Sequence, residues 1–142
     1  MNEAWVGASN GVLVDSNVLI DVLGPDPVWE GWSADALRRA SDTAIVVINP
    51  IVYGEVSLGY PTIEALDAAL GAGLQREPIP WPAAFLAGRV FRTYRDRGGA
   101  RASLLPDFYI GAHAAVAGYR LLTRDPRRYR TYFPKLELIA PE

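Results

Sequence analysis

The chain of 142 residues has no cysteine, one histidine and one lysine. Without cysteine there are no disulfide frameworks, no thiol nucleophiles and no Cys-ligated zinc or iron–sulfur sites. The lone His113 excludes mechanisms that need a pair of imidazoles, whether as acid and base or as a two-His metal grip. A metal would therefore have to be held by oxygen. No apolar run approaches the roughly 18–20 residues needed to span a bilayer; the densest, Ala44 to Ile48, has the length of a buried strand. The first residues, Met1-Asn2-Glu3-Ala4-Trp5, lack the basic region and long apolar segment of a signal peptide. The expectation is a soluble, cytoplasmic protein.

What is present is 50% hydrophobic residues and 21% charged ones, enough for one compact domain over residues 1–142. At this length folding buries about 68–70% of the unfolded chain's surface, so a core forms without staples. The net charge of −2 conceals an uneven distribution. Residues 1–88 carry three arginines against eleven acids, whereas residues 89–142 carry eleven bases against five acids. Thirteen of the fourteen bases are arginine, whose planar fork suits bidentate phosphate contacts. A solvated surface is the alternative for such residues.

There are no repeats, low-complexity tracts or domain-dividing linkers. Residues 1–10 form an N-terminal extension before a short apolar strand, Gly11-Val12-Leu13-Val14-Asp15. Helices are expected over 16–23, 28–40, 50–60, 62–72, 81–97 and 106–118 from apolar periodicity, capping residues and Pro/Gly stops. Strands are expected over 43–48, 75–79, 120–123 and 136–139, the last two bracketing Asp125 to Phe133. Residues 43–48 are apolar and β-branched at consecutive positions, as in a parallel strand covered on both faces. Strands alternating with helices predict an α/β fold, a mostly parallel central sheet flanked by helices on both faces. Ligands of such sheets bind beyond the carboxyl ends of the strands.

Three aspartates belong near those ends. Asp15 closes the first strand, Asp125 follows the strand at 120–123, and Asp107 opens a helix. Each also reads as a helix N-cap, where a carboxylate satisfies free backbone N–H groups. Glu55 differs because it sits mid-helix, three and four residues from Ile51, Val52, Leu58 and Gly59, at the edge of an apolar stripe. An unpartnered charge there is costly, so either an arginine or a metal shared with other acids is expected beside it, unless it simply lies exposed.

The segments Val12-Leu13-Val14-Asp15-Ser16-Asn17-Val18-Leu19-Ile20-Asp21, Glu55, Leu105-Pro106-Asp107-Phe108-Tyr109-Ile110-Gly111-Ala112-His113-Ala114 and Leu121-Leu122-Thr123-Arg124-Asp125 resemble the four acidic signatures of the PIN domain. With the tail Arg128-Tyr129-Arg130-Thr131-Tyr132-Phe133-Pro134, the chain is similar to the VapC-type toxins of bacterial toxin–antitoxin pairs. The resemblance implies an RNA-cleaving, metal-dependent endoribonuclease with Asp15, Glu55, Asp107 and Asp125 around one or two Mg²⁺ or Mn²⁺ ions. It makes Asp15 and Asp107 the firmest ligands, with Glu55 and Asp125 holding a second ion or its waters. An all-oxygen donor set suits such hard ions. Ser16, Asn17 and Thr123 are candidates to hydrogen-bond the carboxylates or metal waters, or are ordinary turn and cap residues. Arg89, Arg92, Arg124, Arg127 and Arg128 are candidate RNA-phosphate contacts. Asp21 and His113, each six residues beyond a signature aspartate, are expected outside the ligand set.

The resemblance also implies a homodimer and a cognate VapB-like antitoxin, with no membrane partner. Trp29 and Trp32, with Val28, Val18, Leu19 and Leu23, either belong to the core or form part of a partner groove. Two other functions fit the same pattern: a catalytically silent PIN-like module binding RNA or protein, and an RNA-processing ribonuclease without a toxin role. A haloacid-dehalogenase-like phosphatase wants Asp at position 17, where Asn17 stands, and both it and a receiver domain want a lysine that Lys135 alone does not supply. A nucleotide-binding module wants a glycine-rich loop where the chain has Asp15-Ser16-Asn17.

Overall fold

A computed structural model describes residues 10–101 and 105–142, so the expected N-terminal extension lies outside the described residues except for Asn10. The elements run β1 (Gly11–Val14), α1 (Ser16–Leu23), α2 (Glu30–Thr43), β2 (Ile45–Ile48), α3 (Pro50–Ser57), α4 (Ile63–Leu70), β3 (Gln75–Arg76), α5 (Trp81–Asp96), α6 (Pro106–Ala117), β4 (Arg120–Leu122), α7 (Arg127–Tyr132) and β5 (Leu138–Ile139). The five strands form one sheet in the order β3-β2-β1-β4-β5, and every neighbouring pair is parallel. The expected α/β architecture is thus observed. None of the described helices is long and apolar enough to cross a membrane.

The topology fixes the functional edge. The chain leaves β1 for β2 on one side and returns to β4 on the other, so the strand order reverses between β1 and β4. At such a switch point the loops diverge and leave a crevice at the carboxyl ends. All four residues of β1 are buried, with Val12, Leu13 and Val14 fully so, because the strand is covered on both faces. The ladder continues one residue further: the Asp15 amide donates to the Leu122 carbonyl at 2.8 Å, which fixes the backbone that carries the first signature acid.

Two differences from the sequence reading have local causes. Residue 43 was expected to begin a strand, yet α2 continues through Thr43 and β2 starts at Ile45. The Thr43 hydroxyl donates back to the Arg39 carbonyl, a local bond available to Thr in a helix. Between β4 and β5 the chain also forms α7, a helix of six residues, too short to show an apolar period. At the end of α6, Gly118 adopts a left-handed φ of 75°, the conformation that stops the helix and turns the chain into β4.

Candidate active site

Among the described residues Asp15 accepts more hydrogen bonds than any other acid. It caps α1, accepting the Ser16 amide on Oδ1 at 2.8 Å, and is only 4% exposed. Its other oxygen, Oδ2, accepts the Thr123 hydroxyl at 2.8 Å, the Tyr129 hydroxyl at 3.0 Å and the Asn17 amide at 3.3 Å. Burial disfavours the charged form, and the nearby Asp107 carboxylate adds repulsion. Together they outweigh these hydrogen bonds and raise the Asp15 pKa from 3.8 to about 6.

The other signature acids arrive from separate elements. Asp107 sits inside the first turn of α6, favourable ground for a negative charge, but Leu105 rather than Asp107 is the N-cap. Its Oδ2 accepts from Arg128 at 3.1 Å. Asp125 precedes α7, whose N-cap is Pro126, and its Oδ1 accepts from Arg127 at 3.3 Å. Of the three expected caps only Asp15 therefore acts as one. Glu55, half-buried on α3, accepts the Ser16 hydroxyl at 2.8 Å; among the described residues its partner is this hydroxyl and not an arginine.

Asp15, Asp107 and Asp125 line one cavity of about 570 Å³, together with Ser16, Asn17, Arg127 and Arg128. Glu55 does not line it and is joined to it through Ser16. Each of the three proposed helper residues contacts an acid: Ser16 donates to Glu55, while Asn17 and Thr123 donate to Asp15. The Thr123 hydroxyl also accepts the Asp125 amide at 3.1 Å, tying the β4 exit to the β1 exit.

Sequence reasoning missed the aromatic wall. Tyr94 and Tyr132 line the same cavity and pack edge-on against Phe108, with ring centroids 5.5 Å and 5.4 Å from it. Tyr129, 1% exposed, was read only as part of a tail motif. Burial holds its phenol pKa well above the ordinary value, and the charges of Asp15, Asp107 and Glu55 push the same way. Nothing short of the α7 geometry signals this role.

Asp21 and His113, expected outside the ligand set, and Arg89, Arg92 and Arg124, candidate RNA contacts, do not line the cavity. Asp21, 1% exposed, accepts the Ser33 hydroxyl at 2.7 Å and Arg124 Nε at 2.8 Å. Arg124 also lies over the Trp29 ring at 5.6 Å, so its guanidinium braces α1 and α2 and is not free at the cavity. Arg89 and Arg92 are exposed on α5, Arg89 stacked over Phe85 at 4.9 Å. His113 is buried in a separate network with Asn49 and Glu77. Trp29 and Trp32 are half-buried and meet edge-on at 6.4 Å, while Val18 and Leu19 belong to the core and offer no groove surface.

The groups at the cavity that can ligate a metal are all oxygens, the chemistry that Mg²⁺ and Mn²⁺ prefer. Among the described residues no three acidic, His or Cys side chains stand close enough to make a ready cage. Mg²⁺ does not require one, since it keeps several waters and uses one or two carboxylates plus substrate phosphate. By donor type the residues fit such an ion.

The family model for the PIN domain matches residues 12–134. No curated protein sequence matches the chain. Among solved structures, the chain is similar to a protein of VapBC2 from Rickettsia felis, solved with a DNA fragment from its promoter, at 17% identity and TM-score 0.72, covering 93% of this chain and 99% of that one. VapBC-1 from nontypeable Haemophilus influenzae gives 17% identity and TM-score 0.70 over 92% and 97%. Mycobacterium tuberculosis VapC20, a toxin that cleaves the sarcin–ricin loop, gives 17% and 0.54 over 77% and 85%.

Proposed function

The chain belongs to the PIN domain family, and on that footing we propose that it is a divalent-metal-dependent endoribonuclease, the toxin of a VapBC-type toxin–antitoxin pair. The observation that carries this reading is the meeting of Asp15, Asp107 and Asp125, from three distant segments, on one cavity whose rim bears Arg127 and Arg128. Asp15 and Asp107 are the ligands of Mg²⁺ or Mn²⁺ in this reading, and Asp125 and Glu55 hold a second ion or its waters. Such an ion, when bound, lowers the pKa of a coordinated water and neutralises charge on the scissile phosphate.

The chain's own residues do the rest. The cavity lining contains no Cys or His, and in the metal-dependent reading the attacking group is a water held and deprotonated beside the carboxylates. Ser16, Asn17 and Thr123 fix the carboxylates that would otherwise rotate. Arg127 and Arg128 offset the acids' repulsion of the RNA backbone, and Arg89 and Arg92 extend positive charge along α5. Arg124 supports the fold through Asp21 instead.

A VapB-like antitoxin is its proposed partner, a reading supported by similar proteins solved as VapBC complexes, and a second copy of the chain is proposed on the family resemblance alone. Purified protein should cleave single-stranded or looped RNA in Mg²⁺ or Mn²⁺ and stop in EDTA, and Asp15→Asn should abolish cleavage. The arginine pairs on Asp107 and Asp125 favour a second reading, a catalytically silent binding module. RNA binding without metal-dependent cleavage establishes that reading, and cleavage that survives both EDTA and Asp15→Asn overturns the metal mechanism.

A further inference from the structure

A carboxylate offers about four lone-pair sites, two on each oxygen. On Asp15 they are used unequally. Among the described residues Oδ2 accepts from three side chains, Thr123, Tyr129 and Asn17, whereas Oδ1 accepts only the Ser16 amide. The oversubscribed oxygen has nothing left to give a ligand. The other keeps spare acceptor capacity, and Asp15 itself lines the cavity.

Tyr129 is the distinctive member of this set. Thr123 and Asn17 belong to segments that must pass Asp15 in any case, one following β4 and the other in the first turn of α1. Tyr129 comes from α7, 114 residues further along, and its side chain is buried. The two residues before it reach the other acids: Arg127 pairs with Asp125 and Arg128 with Asp107. Three consecutive residues thus contact three different carboxylates. The arginine contacts are exposed and exchangeable, while the tyrosine contact is enclosed.

We propose that Tyr129 is a positioning residue: its hydroxyl, with Thr123 and Asn17, pins Oδ2 of Asp15 into the protein and presents Oδ1 as the single oxygen for a divalent cation. This rests on the metal-dependent reading above. Hydrogen bonds to a ligating carboxylate orient it, and removing one typically weakens metal binding about 10–100-fold. A tyrosine that merely filled space would tolerate phenylalanine, because the ring is unchanged.

The test titrates Mn²⁺ into metal-free wild type, Tyr129→Phe and Thr123→Val without RNA, reading free Mn²⁺ by electron paramagnetic resonance, with melting temperatures taken in EDTA. Wild type should bind Mn²⁺. Tyr129→Phe should bind about tenfold more weakly, or worse, while its metal-free melting temperature stays within a few degrees of wild type. Thr123→Val removes a second donor to the same oxygen and should weaken binding similarly; it decides the matter if Tyr129→Phe does not fold. Wild-type affinity in Tyr129→Phe, or in Thr123→Val alone where the former is unfolded, overturns the proposal and leaves the metal reading standing. No Mn²⁺ binding by wild type without RNA overturns the proposal, which has Asp15 present an oxygen to the ion before substrate arrives, while cleavage that survives EDTA overturns both.

Discussion

Arg128 donates from Nη1 to Asp107 Oδ2 at 3.1 Å, an ion pair inside the chain at the position where the proposed metal needs a ligand. The two side chains are 42% and 33% exposed, so the pair is screened and worth at most about 1 kcal/mol. A divalent ion competes with it easily. Arg128→Gln should therefore raise Mn²⁺ affinity a few-fold in the absence of RNA. In the same variant RNA binding should weaken, and the slope of log K against log salt should shrink by about 0.7 for each lost phosphate contact. An unchanged salt slope returns Arg128 to an ordinary surface residue.

A second prediction concerns the packing of α6 against the end of α7. Gly111 lies on the buried side of α6, and a Cβ built there would meet the Phe133 ring at 2.5 Å. Phe133 is 7% exposed and directly follows α7, so it has little room to retreat. Gly111→Ala should cost about 1–3 kcal/mol by overpacking, seen as a lower urea midpoint with unchanged slope. A midpoint equal to wild type would mean that the ring moves freely.

The legible parts of this fold were those where local chemistry and tertiary packing agree. The run Gly11 to Val14 is apolar throughout and became the central buried strand; Pro50 and Pro106 opened helices as a first-turn proline should. The site was legible as four acids in order, but not as a set of contacts. Glu55 was expected beside an arginine, beside a metal shared with other acids, or exposed; it accepts the Ser16 hydroxyl, a pairing across 39 residues that no local spacing encodes. Tyr129 escaped for the same reason: α7 has six residues and no readable period, and its value lies in reaching back to β1.

His113 gives a third prediction. Its Nδ1 accepts from Asn49 Nδ2 at 3.1 Å, which assigns the proton to Nε2, facing Glu77 Oε1 at 3.5 Å. Glu77 in turn accepts the Tyr119 hydroxyl on both oxygens. Burial depresses the His113 pKa below 6.5, and Glu77 opposes this only in part. Between the depressed value and 6.5 the unfolded chain binds more protons than the folded one, so this residue's contribution to stability falls as pH drops through that window. Replacing it by Gln should flatten that acid limb in urea unfolding measured from about pH 7 downward. A limb of unchanged steepness would assign the acid sensitivity to another group.

Asp15 should act with the opposite sign. Its pKa rises from 3.8 to about 6 in the folded metal-free protein, because burial and Asp107 disfavour its charge. From about 4 to about 6 the folded state holds the extra proton, so stability is full below the lower value and is lost as pH rises through the upper one, on the order of 3 kcal/mol in all. Asp15→Asn removes the charge yet keeps a carbonyl oxygen that caps α1 or accepts from Thr123 and Tyr129. In EDTA near neutral pH the variant should melt several degrees above wild type and lose the decline between those values. Mn²⁺ binds only the folded chain and should restore the loss in wild type by mass action, with no such gain in Asp15→Asn. A variant that melts below wild type in EDTA, declines with pH as before and still gains from Mn²⁺ would place both the raised acid and the ion away from Asp15.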